Sequence, residues 1–182
     1  MNFAKNLKII VASFFIILLF TQSKAEVKMV FVEMDTLMNQ SLAGKSLKQQ
    51  LEKIGKDNKK IFDDSSKKLT LKKDKINSQK NILSKEEYEK KVVALNKEFK
   101  NFQNEGNKKI LLLRSKRDKA MEKILAELTI ILTEYSKKNE LSFIIDQKNI
   151  IIGRVDFNIT KEILKLLNTK LKKVSLNWWK IV

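Results

Sequence analysis

SLAGKSLKQQLEKIGKDNKKIFDDSSKKLTLKKDKINSQKNILSKEEYEKKVVALNKEFKNFQNEGNKKILLLRSKRDKAMEKILAELTIILTEYSKKN, residues 41–139, is charged, heptad-like sequence without a proline, broken once near residues 81–84. In its second half the apolar residues fall at Tyr88, Val92, Leu95, Phe99, Phe102, Ile110, Leu113, Ile124, Leu128, Ile131 and Tyr135. Steps of three and four place them on one narrow helical stripe, the pattern of a coiled-coil seam. The first half is patchier. Leu47, Leu51, Ile54, Ile61, Leu69 and Ile76 keep phase, but Asn58, Ser65 and Lys72 occupy positions where apolar residues are expected. A seam this weakly apolar cannot sit inside a compact core, so it predicts helices that project from a body and stay partly wet.

Ser84-Lys85-Glu86-Glu87 has the form of a capping box, with hydroxyl and carboxylate each serving the other residue's amide. Ile82 and Leu83 stand where a hydrophobic staple onto Tyr88 would begin. The stretch therefore predicts two antiparallel arms of roughly 60 and 80 Å at about 1.5 Å per residue. The competing arrangement is one interrupted helix running straight through; only the cap and the flanking segments argue against it.

Residues 1–25 are expected to be a signal peptide. Lys5 and Lys8 supply the positive start, residues 9–20 an apolar run, and Ser23-Lys24-Ala25 a small-x-small cleavage site. The apolar run is short against the roughly twenty residues of a membrane span. Cleavage after Ala25 would export the chain and leave Glu26 as its first mature residue. The alternative is an uncleaved anchor.

Composition removes several chemistries. With no cysteine and no histidine, disulfides, thiol nucleophiles and the usual acid–base and zinc sites lose their main residues. The four glycines lie far apart, so no phosphate-cradling loop is present in the sequence. No enzyme activity, cofactor or metal is expected. The net charge of +17 is carried almost wholly by lysine and favours acidic partners. In an exported protein these are anionic lipids or acidic polypeptides, and no nucleic acid is expected.

The flanks read as a small body in two pieces, residues 26–40 and 140–170. Residues 27–34, rich in β-formers, predict a strand, and Asp35 a cap for a helical turn at Thr36-Leu37-Met38. Ser41 or Gly44 marks the start of the first arm. Residues 141–146 and 150–154 predict two further strands joined by a hairpin turn at Gln147-Lys148-Asn149. Asn158 or Thr160 is placed to cap a final helix with the stripe Ile163, Leu166, Leu167 and Leu171. Three short apolar strands make a marginal core. Val30, Val32, Phe143, Ile145 and Ile151 would leave apolar surface on a monomer, which predicts self-association of the body. The fold class is thus α+β, mainly α: a long antiparallel helical hairpin rooted in a small β-body, followed by a tail over residues 171–182.

Three short segments carry a family resemblance. Lys28-Met29-Val30-Phe31-Val32-Glu33-Met34, the apolar run ending in Asp at residues 141–146, and Asn158-Ile159-Thr160-Lys161-Glu162-Ile163-Leu164 occur in the order found in the Skp (OmpH-like) family of periplasmic chaperones. The chain resembles that family over the mature sequence to about Lys170. The resemblance implies a homotrimer whose bodies form a β-barrel and whose coiled-coil tentacles surround a cavity. It further implies that unfolded outer-membrane proteins are held there without ATP, and that a basic surface assists with acidic clients, anionic lipid or lipopolysaccharide. Two features depart from the pattern: the extension over residues 172–182 with Trp178-Trp179, and Gly106 on a seam position.

Ile61, Phe62, Tyr88, Phe99 and Phe102 are the candidates for client contact, each able instead to pack arm against arm. Towards the tip, Lys67, Lys68, Lys72, Lys73, Lys75, Lys80, Lys85, Lys90 and Lys91 face only four acidic residues, a local balance of +5. They form either a binding surface or a solvated helix face. Gly106 reads as a flex point or a neutral site, and Trp178-Trp179 as a membrane-interface anchor or a lid on the body. The rival function is a membrane-anchored structural coiled coil with an uncleaved N-terminal helix. A nucleic-acid-binding coiled coil is disfavoured by the signal sequence and the scarcity of arginine.

Overall fold

In the computed structural model, which describes residues 27–176, the long stretch folds back on itself. In order come β1 (Met29–Val32), α1 (Met34–Gln40), α2 (Leu42–Ser78), α3 (Lys85–Lys138), β2 (Phe143–Asp146), 3-10 turns at Gln147–Asn149 and Val155–Phe157, and α4 (Thr160–Lys170). At about 1.5 Å per residue α2 spans roughly 55 Å and α3 roughly 80 Å. The straight-through alternative is excluded, because the two arms touch: Lys91 Nζ donates to Gln79 Oε1 at 2.9 Å, and Lys72 pairs with Glu98. The signal-peptide reading of residues 1–25 and the Trp178-Trp179 pair lie outside the described residues.

The capping box forms. Ser84 Oγ accepts from Glu87 N at 3.3 Å, while Glu87 Oε2 accepts from Ser84 N at 3.2 Å and from Ser84 Oγ at 2.8 Å. These bonds hold the Glu87 carboxyl below its ordinary range. Of the two residues before the cap, Ile82 is exposed, while Leu83 is half-buried, as is Tyr88. Ser84→Ala is expected to cost the start of α3 about 1 kcal/mol. Amide exchange in its first turn should quicken about fivefold; unchanged exchange would show that the box contributes nothing there.

At the other end, Ser41 caps α2, its Oγ accepting from Gly44 N at 3.1 Å. A Cβ on Gly44 would lie 1.9 Å from the Met38 carbonyl oxygen. Glycine is needed there so that α2 can start directly against the end of α1. α3 ends in a Schellman arrangement, with Leu141 N donating to Ser136 O and Glu140 N to Lys137 O. Glu140 holds the left-handed position (φ 54°) usually taken by glycine.

The sheet differs from the expected one. β1 and β2 pair in parallel, Met29 with Phe143 through Val32 with Asp146, so the whole helical hairpin is the crossover between them. Residues 150–154 are not a strand, and residues 147–149 are a 3-10 turn rather than a hairpin turn. Asp146 accepts from Lys148 N and starts that turn. The free edge of β1 is then occupied by Asn158 and Ile159, the latter donating to Phe31 O at 3.0 Å. Residues 150–154 pair with neither β1 nor β2, and Ile151 and Ile152 stand 100% and 91% exposed.

Three further expectations are corrected. Glu33, not Asp35, is the N-cap of α1; Asp35 lies in the first turn and pairs with Lys148. Ile159 is the N-cap of α4, with Asn158 Oδ1 accepting from Thr160 N. On α4, Ile163 and Leu167 are buried as expected but Leu166 is exposed.

The core sits where everything meets the base of the arms. Val32, Leu37, Leu47, Ile54, Ile124, Leu128, Ile131, Ile163 and Leu167 form one cluster, joined by Val174 and Leu176 of the tail. Val32 is therefore part of the chain's own interior and adds nothing to its apolar surface.

Candidate functional site

The polar gaps in the first arm have a structural consequence. No residue of α2 is buried between Ile54 and Ile76, and none of α3 between Leu95 and Ala120. Asn58 and Ser65 cannot fill a seam, so the arms part and leave an open cleft of about 820 Å³. Gly55, Asn58, Ile61, Phe62 and Ser65 line it from α2; Phe102, Gly106, Ile110 and Leu113 line it from α3. Its floor is an aromatic pair, Phe62 and Phe102, with ring centroids 4.5 Å apart and planes 29° from parallel. A Cβ on Gly106 would meet Phe62 Cε2 at 3.7 Å, an ordinary contact. Gly106 therefore faces the cleft without steric need for glycine.

Three of the five aromatic and aliphatic candidates are brought together here. Ile61 and Phe62 are 50% and 49% exposed even after packing, and Phe102 is half-buried beneath them. Tyr88 lies away from the cleft, near the turn, its hydroxyl donating to Asn77 Oδ1 at 3.4 Å. Phe99 is half-buried and does not line the cleft. Ile110, expected in the seam, is exposed on the cleft wall instead. Its periodicity was right; what it lacked was an apolar partner on α2. Leu111, Leu112, Met121 and Leu125 add exposed apolar surface to the lower half of α3. The stripe rule passed over them because they lie off the seam.

All nine tip lysines are exposed. Lys72 and Lys90 pair with Glu98 and Glu86, and Lys91 donates to Gln79. Lys67, Lys68, Lys73, Lys75, Lys80 and Lys85 enter no ion pair among the described residues. The field around the tip is therefore only partly neutralised from within. Among the described residues no group of three or more acidic side chains could hold a metal ion, and no helix is long and apolar enough to cross a membrane.

At the root, Glu33 joins the two halves of the body. Its carboxylate accepts from Asn158 Nδ2 at 2.9 Å and Thr36 Oγ1 at 2.8 Å, and its amide donates to Thr160 Oγ1 at 2.9 Å. The Asn158 bond first, then that of Thr36, lowers its pKa. A depressed carboxyl contributes stability above its unfolded value and loses it as pH falls through the folded one. Glu33→Gln should therefore destabilise at pH 7 by an amount that shrinks once pH drops below about 4.3. Denaturant titrations of both forms at neutral and acid pH check this; a constant difference would contradict it.

The sequence matches the profile of the OmpH-like outer membrane protein family over residues 28–167. Among solved structures, a candidate outer membrane chaperone (OmpH-like) from Caulobacter crescentus superposes with a TM-score of 0.76 at 15% identity. The match covers 85% of this chain and 92% of that one, and at this identity it speaks for the fold alone. No curated protein matches.

Proposed function

The chain belongs to the OmpH-like family of outer membrane proteins, and from that premise we propose that it is an ATP-independent holdase chaperone of the periplasm. It binds unfolded outer-membrane proteins between its helical arms and keeps them from aggregating. The observation that carries this reading is the unburied middle of the hairpin, an open apolar cleft set in strongly basic arms. A holdase must accept many sequences weakly, which dispersed apolar contacts and long-range charge provide and one sharp pocket does not. Ile61, Phe62 and Phe102 supply the central contacts, with Tyr88 and Phe99 further along the arm. The tip lysines draw in acidic clients, and anionic lipid or lipopolysaccharide is a second partner of the same charge.

In this reading three chains associate through the body. Phe143, Ile151, Ile152 and Val155 are exposed on the sheet and the loop behind it, while Val30 and Ile145 are only half-buried. Closure of three such sheets into a barrel would cover these residues and point the arms away. The signal sequence is removed after Ala25.

The test is the mass in solution of residues 26–182, alone and with an unfolded outer-membrane β-barrel protein diluted from urea. A trimer that keeps the client soluble without nucleotide is expected. Lys67, Lys68, Lys73 and Lys75 changed together to glutamate should weaken capture at low salt. That deficit should close as ionic strength rises and screening shortens to about 10 Å or less. A monomer that leaves the client to aggregate would favour the anchored coiled coil instead.

A further inference from the structure

We propose that the cleft between the arms is selective: it takes an aromatic side chain carried on an acidic stretch of unfolded polypeptide. This deepens the holdase reading by naming the kind of segment the cleft prefers, and as a statement about clients it rests on that reading.

The shape of the cleft follows from which side chains are missing. Gly55 and Phe62 both line it from α2, two helical turns and roughly 10.5 Å apart along the axis. A Cβ placed on Gly55 would meet nothing within 4 Å. From α3 come Gly106, Ile110 and Leu113. The slot thus has an apolar wall on α3, no side chain at Gly55, and the Phe62–Phe102 pair on its tip side. Phe62 stays half exposed although it stacks on Phe102, which leaves ring surface for a third aromatic group. Such rings attract one another at centroid distances of about 4.5–7 Å, offset or edge to face. An aliphatic side chain fills the same room without that gain.

Charge decides what flanks the ring. The charged residues lining the cleft are Lys59 from α2 and Glu105 and Lys109 from α3. Glu105 is paired with Lys108 at 3.2 Å, whereas Lys59 and Lys109 enter no ion pair among the described residues. Two cations from opposite arms therefore remain at the rim. They serve a bound ring as cation–π partners, and they meet carboxylates beside that ring as counter-ions. Basic flanks are repelled. Exposed pairs contribute little singly, so the cleft sets a preference among segments rather than a strict requirement.

The test is fluorescence anisotropy of dye-labelled peptides with the chain over residues 26–182. One peptide carries a tryptophan between two aspartates in a flexible Gly-Ser frame; a second has leucine for the tryptophan, a third lysines for the aspartates. The first should bind about two- to tenfold more tightly than the leucine peptide. Its margin over the lysine peptide should shrink as salt rises. Gly106→Leu, which favours the helix while filling the slot, should remove binding with circular dichroism unchanged. Gly106→Ala, whose Cβ fits at 3.7 Å from Phe62, should keep it. Lys59→Glu with Lys109→Glu should invert the preference between aspartate and lysine flanks. The proposal is overturned if tryptophan and leucine peptides bind equally, or if charge reversal leaves their order unchanged. It is equally overturned if Gly106→Leu binds as the parent does, or if no peptide binds at millimolar concentration.

Adding an unfolded outer-membrane protein separates this proposal from the reading beneath it. Peptide selection without client capture would sink the holdase reading and leave the preference of the cleft standing. Client capture undiminished by Gly106→Leu, with no preference among peptides, would keep the holdase and place its client elsewhere on the arms.

Discussion

Leu128→Ala should lower stability by about 2–5 kcal/mol, the usual cost of truncating a fully buried leucine. Leu128 has no exposed surface and lies in the cluster that joins α1, α2, α3, α4 and the tail. Farther out, the arms hold almost nothing buried, so the elements are fastened to one another chiefly at this root. Against a typical total of about 5–15 kcal/mol, the loss is large enough to show as a clear shift of the denaturation midpoint. Leu111→Ala provides the contrast. It removes the same atoms from the same helix at an exposed position and should change stability by no more than about 0.5 kcal/mol. Both are measured by denaturant titration followed by circular dichroism, at one protein concentration because association contributes to stability. Equal midpoints for the two variants would mean that the root is not where the fold is held.

The second large effect concerns assembly. Ile151→Glu combined with Ile152→Glu should turn the proposed trimer into a monomer. Both side chains are almost wholly exposed within one chain, so the monomer loses no contact and its helical signal should not change. In an assembled body they would be desolvated, and burying an unpaired carboxylate costs several kcal/mol per group. Each 1.4 kcal/mol weakens association tenfold, so two charges in each of three chains exceed what a small interface supplies. Light scattering across a range of concentrations gives the mass directly. If the doubly substituted chain kept the parent mass, Ile151 and Ile152 would not be interface residues, and the body would have to associate through another surface. If it became a monomer and also lost client capture, the cavity between arms would require several chains.

Much of the hairpin was legible beforehand because its signals are local. The capping box at Ser84 and Glu87 lies within one turn, and both its bonds form. Ser41 caps α2 by the same short-range logic. The polar gaps at Asn58 and Ser65 marked where the seam would fail, and both residues line the cleft. Part of the candidate site could thus be anticipated, Phe102 on the α3 wall included, but the exposure of Ile110 could not. Ile110 has the right period for a seam and is exposed only because of what faces it.

The body was less legible because its signals are not local. Residues 150–154 have the composition of a strand, but a strand exists only where an edge accepts it. Asp146 instead caps a 3-10 turn that leads the chain off the sheet, and the segment that returns to it, Asn158 and Ile159, joins β1 and not β2. Nothing in the composition of β1 and β2 specified that they pair in parallel; that followed from the hairpin carrying the chain out and back. Gln50 on α2 donates to Val174 O and accepts from Leu176 N, contacts that no local pattern marks. The sequence by itself determined the two long helices, their break and the weakness of the seam, because period and capping act over one or two turns. Tertiary structure alone decided the sheet, the depth of the cleft and the path of the tail, because each depends on which distant surface is left open.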